Sequence, residues 1–214
     1  WWLLIFYAAL TLAIACPRWR PPVRGQAAFL VVWIAVGLIQ IGGLRRDDAA
    51  LRCTFLAMGH GTCAVLELPG GQTLLYDAGS LGSPEAAGRT IASFLLSRQI
   101  SHIDAIVVSH ADIDHYNAVP MLLEMFSVGA LYVSPMMFDG RAGAKPDAAT
   151  QLLEQTATAR GVRRIEIDKN DSLETSDPRI DIQVLHPPPA GVEGRDNANS
   201  LALAIDYGGR RLLL

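Results

Sequence analysis

Ser109-His110-Ala111-Asp112-Ile113-Asp114-His115 is the stretch on which the reading of this chain turns. It follows Ala105-Ile106-Val107-Val108, an apolar run bounded by polar residues, which is the pattern of a buried strand. His110, Asp112, Asp114 and His115 are all potential metal ligands. Imidazoles suit zinc, and carboxylates pull toward harder divalent ions. A loop leaving a strand end can turn all of these side chains toward one or two ions without help from distant sequence. The bland alternative is a polar loop in which histidines and acids are neighbours by chance.

The composition is unusual for a single soluble domain. The 214 residues are 50% hydrophobic and only 18% charged, and the apolar excess sits at the start. The net charge of −3 gives no global basic field of the kind that announces a nucleic-acid partner. The cysteines Cys16, Cys53 and Cys63 form neither a zinc spacing nor a disulfide framework. Cys53 and Cys63 flank an expected hairpin turn; they read as small buried hydrophobes, with a bridge as the alternative. The chain opens on Trp1-Trp2 without Met and closes on Arg210-Arg211-Leu212-Leu213-Leu214, which reads as mid-strand. The expectation is a piece of a longer protein.

Two apolar runs, residues 1–16 and 27–44, read as transmembrane helices, the first slightly short of the roughly 20 residues a span needs. A signal peptide fits the first run poorly, because no basic region precedes it. The segment between them carries Arg18, Arg20 and Arg24 and no acid, which places it in the cytoplasm by the positive-inside rule. Arg45-Arg46 is followed at once by Asp47-Asp48, so the later residues are expected on the extracytoplasmic side. The domain reading is therefore 1–45, two transmembrane helices, and 51–214, a globular domain.

From Leu51 the pattern changes to short strands and turns. Strands are expected at 52–58, 64–68, 73–76 and 103–108, then at 131–133, 163–167 and 180–185. A final hairpin is expected from 200–207 and 210–214 across Gly208-Gly209. Ser83-Pro84-Glu85 reads as a helix start running to about Arg98. Further amphipathic helices are expected at 117–126 and 146–160. Mixed strands and helices give an α/β (α+β) class.

At its metal loop the chain resembles the metallo-β-lactamase superfamily, whose motif is His-x-His-x-Asp-His. Asp112 stands where that motif has its second His, a departure shared by DNA-uptake channel proteins of the ComEC type. Residues 51–214 are similar throughout to the C-terminal domain of that branch. Phe55-Leu56-Ala57-Met58-Gly59-His60-Gly61-Thr62-Cys63-Ala64 looks like the branch's first strand and turn, with its acids replaced by Ala57 and Thr62. The block from Leu68 to Asp77-Ala78-Gly79 fits closely. Asn197-Ala198-Asn199-Ser200-Leu201 looks like its Asn-Asn-x-Ser block.

The resemblance implies an αββα sandwich, truncated at the C-terminus, with two divalent ions: manganese or zinc, with magnesium also possible. His110 and Asp112 would hold one ion. Asp114 and His115 would hold the second, and these two residues would carry the catalysis. A water activated by both ions would attack a phosphodiester. Asp77 would brace the loop by hydrogen bonds, unless it is only a turn residue. His186 stands where a third histidine ligand falls, unless it is incidental. Asn199 and Ser200 would line the site or simply hold the strand entry. His60 reads as a turn residue and His102 as a surface one. The superfamily's following Gly-Asp would lie beyond Leu214.

The implied function is an extracytoplasmic nuclease domain of an inner-membrane DNA-uptake channel. Its partners would be single-stranded DNA, membrane lipid and other uptake proteins. A catalytically silent domain that binds DNA or a partner stays open, as does a membrane-linked metallohydrolase of a small ester.

Overall fold

The computed structural model describes residues 2–16, 18, 21–43, 50–138, 148–194 and 196–214. Two compact units result, Trp1–Arg46 and Asp47–Leu214. Arg45-Arg46, Asp47-Asp48 and the start of the helix expected at 146 lie outside the described residues, as does much of the loop at 17–20.

The first unit is a pair of helices, α1 (Trp2–Ala15) and α2 (Val23–Gly43). The ring of Phe6 meets Trp33 at 5.6 Å between centroids, and Phe29 stacks on Trp33 at 5.9 Å. Two helices so largely apolar cannot cover each other, and Leu4 and Val31 remain 73% and 66% exposed. The expectation of two transmembrane spans finds no support among the described residues. The apolar part of α2 begins only after Arg24 and Gln26. Among the described residues no helix is long and apolar enough to cross a membrane.

The second unit is built on a six-stranded sheet in sequence order. Its strands are β1 (Arg52–Phe55), β2 (Ala64–Glu67), β3 (Thr73–Tyr76), β4 (His102–Val108), β5 (Ser127–Val133) and β6 (Arg163–Glu166). The first three pair antiparallel, and β3 through β6 pair parallel. A second, antiparallel sheet holds β7 (Asp181–His186), β8 (Ala202–Tyr207) and β9 (Arg210–Leu213). The helices are α3 (Pro84–Ser97), α4 (Ile113–Tyr116), α5 (Val119–Met125) and α6 (Ala148–Ala159).

Alternation along the strands sets the layers. Leu75, Ile106 and Leu131 point to one side and pack with Ile91 and Leu95 of α3, Leu122 of α5 and Leu153 of α6. Leu74, Tyr76, Val107 and Tyr132 point to the other and pack with Ile182, Val184, Leu203 and Ile205 of the second sheet. The order is helices, large sheet, small sheet: three of the four layers of the expected αββα sandwich are formed by the described residues. The central strands are covered on both faces, which is why they read as unbroken apolar runs. In β7 burial alternates, with Ile182 and Val184 inward and Asp181 and Gln183 outward.

Helix α3 starts as its sequence implies. The Ser83 hydroxyl accepts a hydrogen bond from the Ala86 N–H at 3.2 Å, and Pro84 opens the first turn. Strand β5 begins at Ser127, four residues before the apolar signal, because it pairs with β4 along its whole length from His102↔Ser127 to Val108↔Val133. Cys53 and Cys63 are free thiols.

Leu131 is fully buried at the centre of the helix-side core. Leu131→Ala is expected to lower unfolding free energy by about 2–5 kcal/mol, the range for a large-to-small change at a packed site. Urea denaturation followed by circular dichroism measures this.

Candidate metal centre

The site sits where β4 ends. Val108 leads into Ser109, and the chain then closes one helical turn, α4, before Asn117. Tyr116 is fully buried and anchors that turn in the core, so the polar residues before it are held at the rim.

Asp77, at the end of β3, carries the arrangement. It is buried, and its backbone is left-handed with φ 58°. Its Oδ1 accepts from the Ser109 N–H at 2.7 Å, and its Oδ2 from the Ser109 hydroxyl at 2.8 Å. Oδ2 also accepts from His115 Nδ1 at 2.7 Å. Below it the turn and the loop are joined by backbone bonds, Ala78 N–H to the His115 carbonyl at 2.7 Å and Ala118 N–H to the Ala78 carbonyl at 3.0 Å. The Asn117 side chain adds two more, accepting from Ser80 N–H and donating to the Ser80 carbonyl. A Cβ on Gly79 would lie 2.5 Å from the Asp114 carbonyl group. One on Gly61 would lie 2.2 Å from the Gly79 oxygen. These two glycines let the 59–62 turn, the 77–80 turn and the metal loop stack in direct backbone contact.

Proton accounting fixes the two imidazoles. The single hydroxyl proton of Ser109 goes to Asp77, so its oxygen accepts from His110 Nδ1 at 2.9 Å. His115 donates its Nδ1 proton to Asp77. In the neutral form both rings therefore present a bare Nε2 lone pair. His110 Nε2 is buried and has no hydrogen-bond partner. It lies 3.2 Å from Asp112 Oδ2, outside hydrogen-bonding geometry, while His115 Nε2 lies 4.0 Å from Asp114 Oδ2. The rings are 4.1 Å apart between centroids.

These features fit a divalent ion. Ligand atoms each about 2.1 Å from one ion stand roughly 3–4 Å apart, the spacing of both His–Asp pairs. A metal would also satisfy the orphaned buried nitrogen. The donors come in pairs: among the described residues no group of three His, Cys, Asp or Glu side chains is arranged to hold one ion. The side nearest Asp77 is dry, with His110 only 5% exposed, and the Asp112 side chain on the other side is 42% exposed. Burial alone would lower the pKa of His115. The hydrogen bond and charge of Asp77, joined by Asp114 and Asp112, outweigh it and leave the group above its ordinary value.

The remaining sequence-derived candidates are not all brought here. His186 Nε2 bonds the Ala198 carbonyl at 2.8 Å. Asn199 is buried and clasps Val192, accepting from its N–H and donating to its carbonyl. The Ser200 hydroxyl donates to the Asn197 carbonyl. Asn197 is the member of that block that reaches the loop, donating from Nδ2 to Asp112 Oδ2 at 2.9 Å. Spacing alone could not separate Asn197 from Asn199; a 3-10 turn over Asp196–Asn199 turns the two side chains to different partners. His60 is exposed on its turn, and His102, also exposed, meets Ser127 at the opposite end of β4.

Two outcomes are expected. Gly79→Ala forces the 77–80 turn off the loop and costs about 1–3 kcal/mol of stability in urea denaturation, the range for overpacking. In metal-free protein, His115 titrates above an ordinary histidine in NMR, and Asp77→Asn moves it down. With the folded pKa raised, this stabilisation is complete below the unfolded pKa and is lost as pH rises through the folded one.

A family model, the metallo-β-lactamase superfamily, matches residues 57–214. No curated protein matches the chain by sequence. Among solved structures it is similar to a HARLDQ-motif mutant of a metallo-β-lactamase from Cronobacter sakazakii, at 13% identity and TM-score 0.51. That likeness covers 75% of this chain and 59% of the other. It is similar to MEM-A1, a subclass B3 metallo-β-lactamase from a soil metagenome library, at 12% identity and TM-score 0.51, over 77% and 58%. It also matches Zn2+-bound PqqB from Methylobacterium extorquens at 19% identity and TM-score 0.48, over 72% and 52%. The chain thus spans less than two thirds of each of these structures, and at such identities the first two show a shared fold. With the family model covering most of its length, the chain belongs to the metallo-β-lactamase superfamily.

Proposed function

We propose that the domain is a metal-dependent hydrolase of phosphodiester bonds, acting on single-stranded DNA as part of a DNA-uptake protein of the ComEC type. The observation that carries the hydrolase reading is the pair of imidazoles whose Nδ1 atoms are committed and whose Nε2 atoms each stand beside a carboxylate. His110 and Asp112 would hold one divalent ion, Asp114 and His115 a second. Such ions supply Lewis acidity and lower the pKa of water. The chain's own groups do the rest. Asp77 keeps the His115 proton on Nδ1, which fixes the ring and leaves Nε2 as the donor. Ser109 relays the same control to His110. Asp114, partly exposed, would accept a proton from an entering water. Asp112 in the second ligand position adds charge and hardness, favouring manganese or magnesium over zinc by degree.

The DNA assignment is supported by the resemblance of residues 51–214 to the uptake branch, as are an extracytoplasmic position at the inner membrane and other uptake proteins as partners. One observation favours a second reading, a binding domain without catalysis: among the described residues the donors gather in twos and not threes.

The test is cleavage of labelled single-stranded DNA in a titration of manganese, magnesium and zinc. Metal-dependent cleavage is expected, falling at least about a hundredfold in His115→Ala, the scale of losing a group that holds the reaction centre. If folded wild-type protein shows no cleavage with any of the three ions, the binding reading replaces this one.

A further inference from the structure

Asp112 occupies the residue position that precedes the first turn of α4, with φ −74° and ψ 133°. An aspartate there ordinarily accepts a hydrogen bond from the helix's own first N–H groups. Asp112 makes no such bond. Its Oδ2 faces two nitrogens instead, His110 Nε2 at 3.2 Å and the donating Asn197 Nδ2 at 2.9 Å. Asn197 comes from a separate part of the chain, 85 positions on.

That part is firmly held. The Asn197 carbonyl accepts from the Ser200 hydroxyl at 2.9 Å. One residue further, the Leu201 N–H donates to the Ser109 carbonyl at 2.8 Å, and the Leu201 carbonyl accepts from the Tyr76 hydroxyl at 2.5 Å. The 3-10 turn carrying Asn197 is thus fastened to the end of β3 and to the metal loop itself. Leu201 is fully buried, so the fastening is shielded from water.

We infer that Asn197 is a positioning residue for Asp112, and that it makes the His110–Asp112 pair a preformed metal half-site. The inference rests on the metal-dependent reading above. Each of three ligand side chains then has one brace: Asp77 for His115, Ser109 for His110 and Asn197 for Asp112. The chemistry of the third brace differs for a reason. A histidine ligand offers its second nitrogen to a partner. A carboxylate must be held on an oxygen, and that oxygen has lone pairs for both an amide donor and an ion. A neutral amide orients the carboxylate without cancelling its charge, as Arg or Lys would. Without it, a side chain 42% exposed would have to be ordered by the ion at the time of binding.

Isothermal titration of the whole chain with Mn2+, and separately with Zn2+, tests this. Wild type, Asn197→Ala, Asp112→Ala and the double variant are compared, with melting temperature as the fold control. Asn197→Ala is expected to weaken metal affinity about 10–100-fold, the usual cost of losing an outer partner of a ligand. Its melting temperature should stay that of wild type, because Asn197 is exposed. In the Asp112→Ala background the same change should have no further effect, a coupling that a merely structural role would not produce. Unchanged affinity in Asn197→Ala overturns the inference, and so does an equal loss in the Asp112→Ala background. Wild type that takes up neither metal overturns the metal-dependent reading, and this inference with it.

Discussion

The Asp77 carboxylate accepts hydrogen bonds from the Ser109 N–H, the Ser109 hydroxyl and His115 Nδ1, and the site depends on that single buried charge. A carboxylate taken out of water without partners is strongly disfavoured. Here each donor belongs to the loop that the charge must hold, so the cost of burial is offset only when the loop is in place. The left-handed backbone at Asp77 costs roughly 1–3 kcal/mol by itself and persists because its surroundings over-determine it. Its N–H continues the ladder to the Val107 carbonyl at 2.8 Å, so backbone and side chain grip the same strand end. The nearby groups feel the charge: burial first, then Asp77, raises the pKa of both Cys63 and Tyr76, keeping them neutral.

From that charge the protonation of the whole site follows. Asp77 can only accept, Ser109 has one proton to give, and each neutral imidazole has one proton to place. The only consistent assignment puts protons on both Nδ1 atoms. The free Nε2 lone pairs of His110 and His115 are thus a consequence of a carboxylate on the far side of the loop. A gradient of solvent exposure runs across the same few ångströms, from buried Asp77 to the open Asp112, which gives a dry support and a wet, approachable edge.

Much of this was legible in the sequence because it is local. Val107 and Val108 announce a buried strand, Ser83-Pro84 announces a helix start, and the four candidate ligands stand together in one loop. What was not legible depends on distant parts of the chain. The start of β5 is set by pairing with β4, since Ser127-Val128-Gly129 has no apolar signal of its own. The single turn α4 is too short to show a helical period; it is held by Tyr116 in the core. Asn199 and Ser200 drew attention through a resemblance, yet their side chains serve the local turn and Asn197 reaches the loop. The two apolar runs were read by composition as spans, and among the described residues no helix is long and apolar enough to be one.

The difference between the candidate ligands and the groups that hold them has a physical basis. Ligands can be local because adjacent residues in a loop converge by simple turning of the chain. Ser109 holds His110 from within the loop, but Asp77 and Asn197 approach from behind it and come from other elements. Asp77 is 38 positions from His115, and Asn197 is 85 positions from Asp112. The first arrives because β3 and β4 are parallel neighbours whose ends coincide, with Tyr76 opposite Val107. The second arrives because the small sheet packs on the large one, burying Leu201 and Leu203 against Tyr76 and Val107. Packing two sheets face to face is therefore what turns a run of metal-binding residue types into a site with fixed donors.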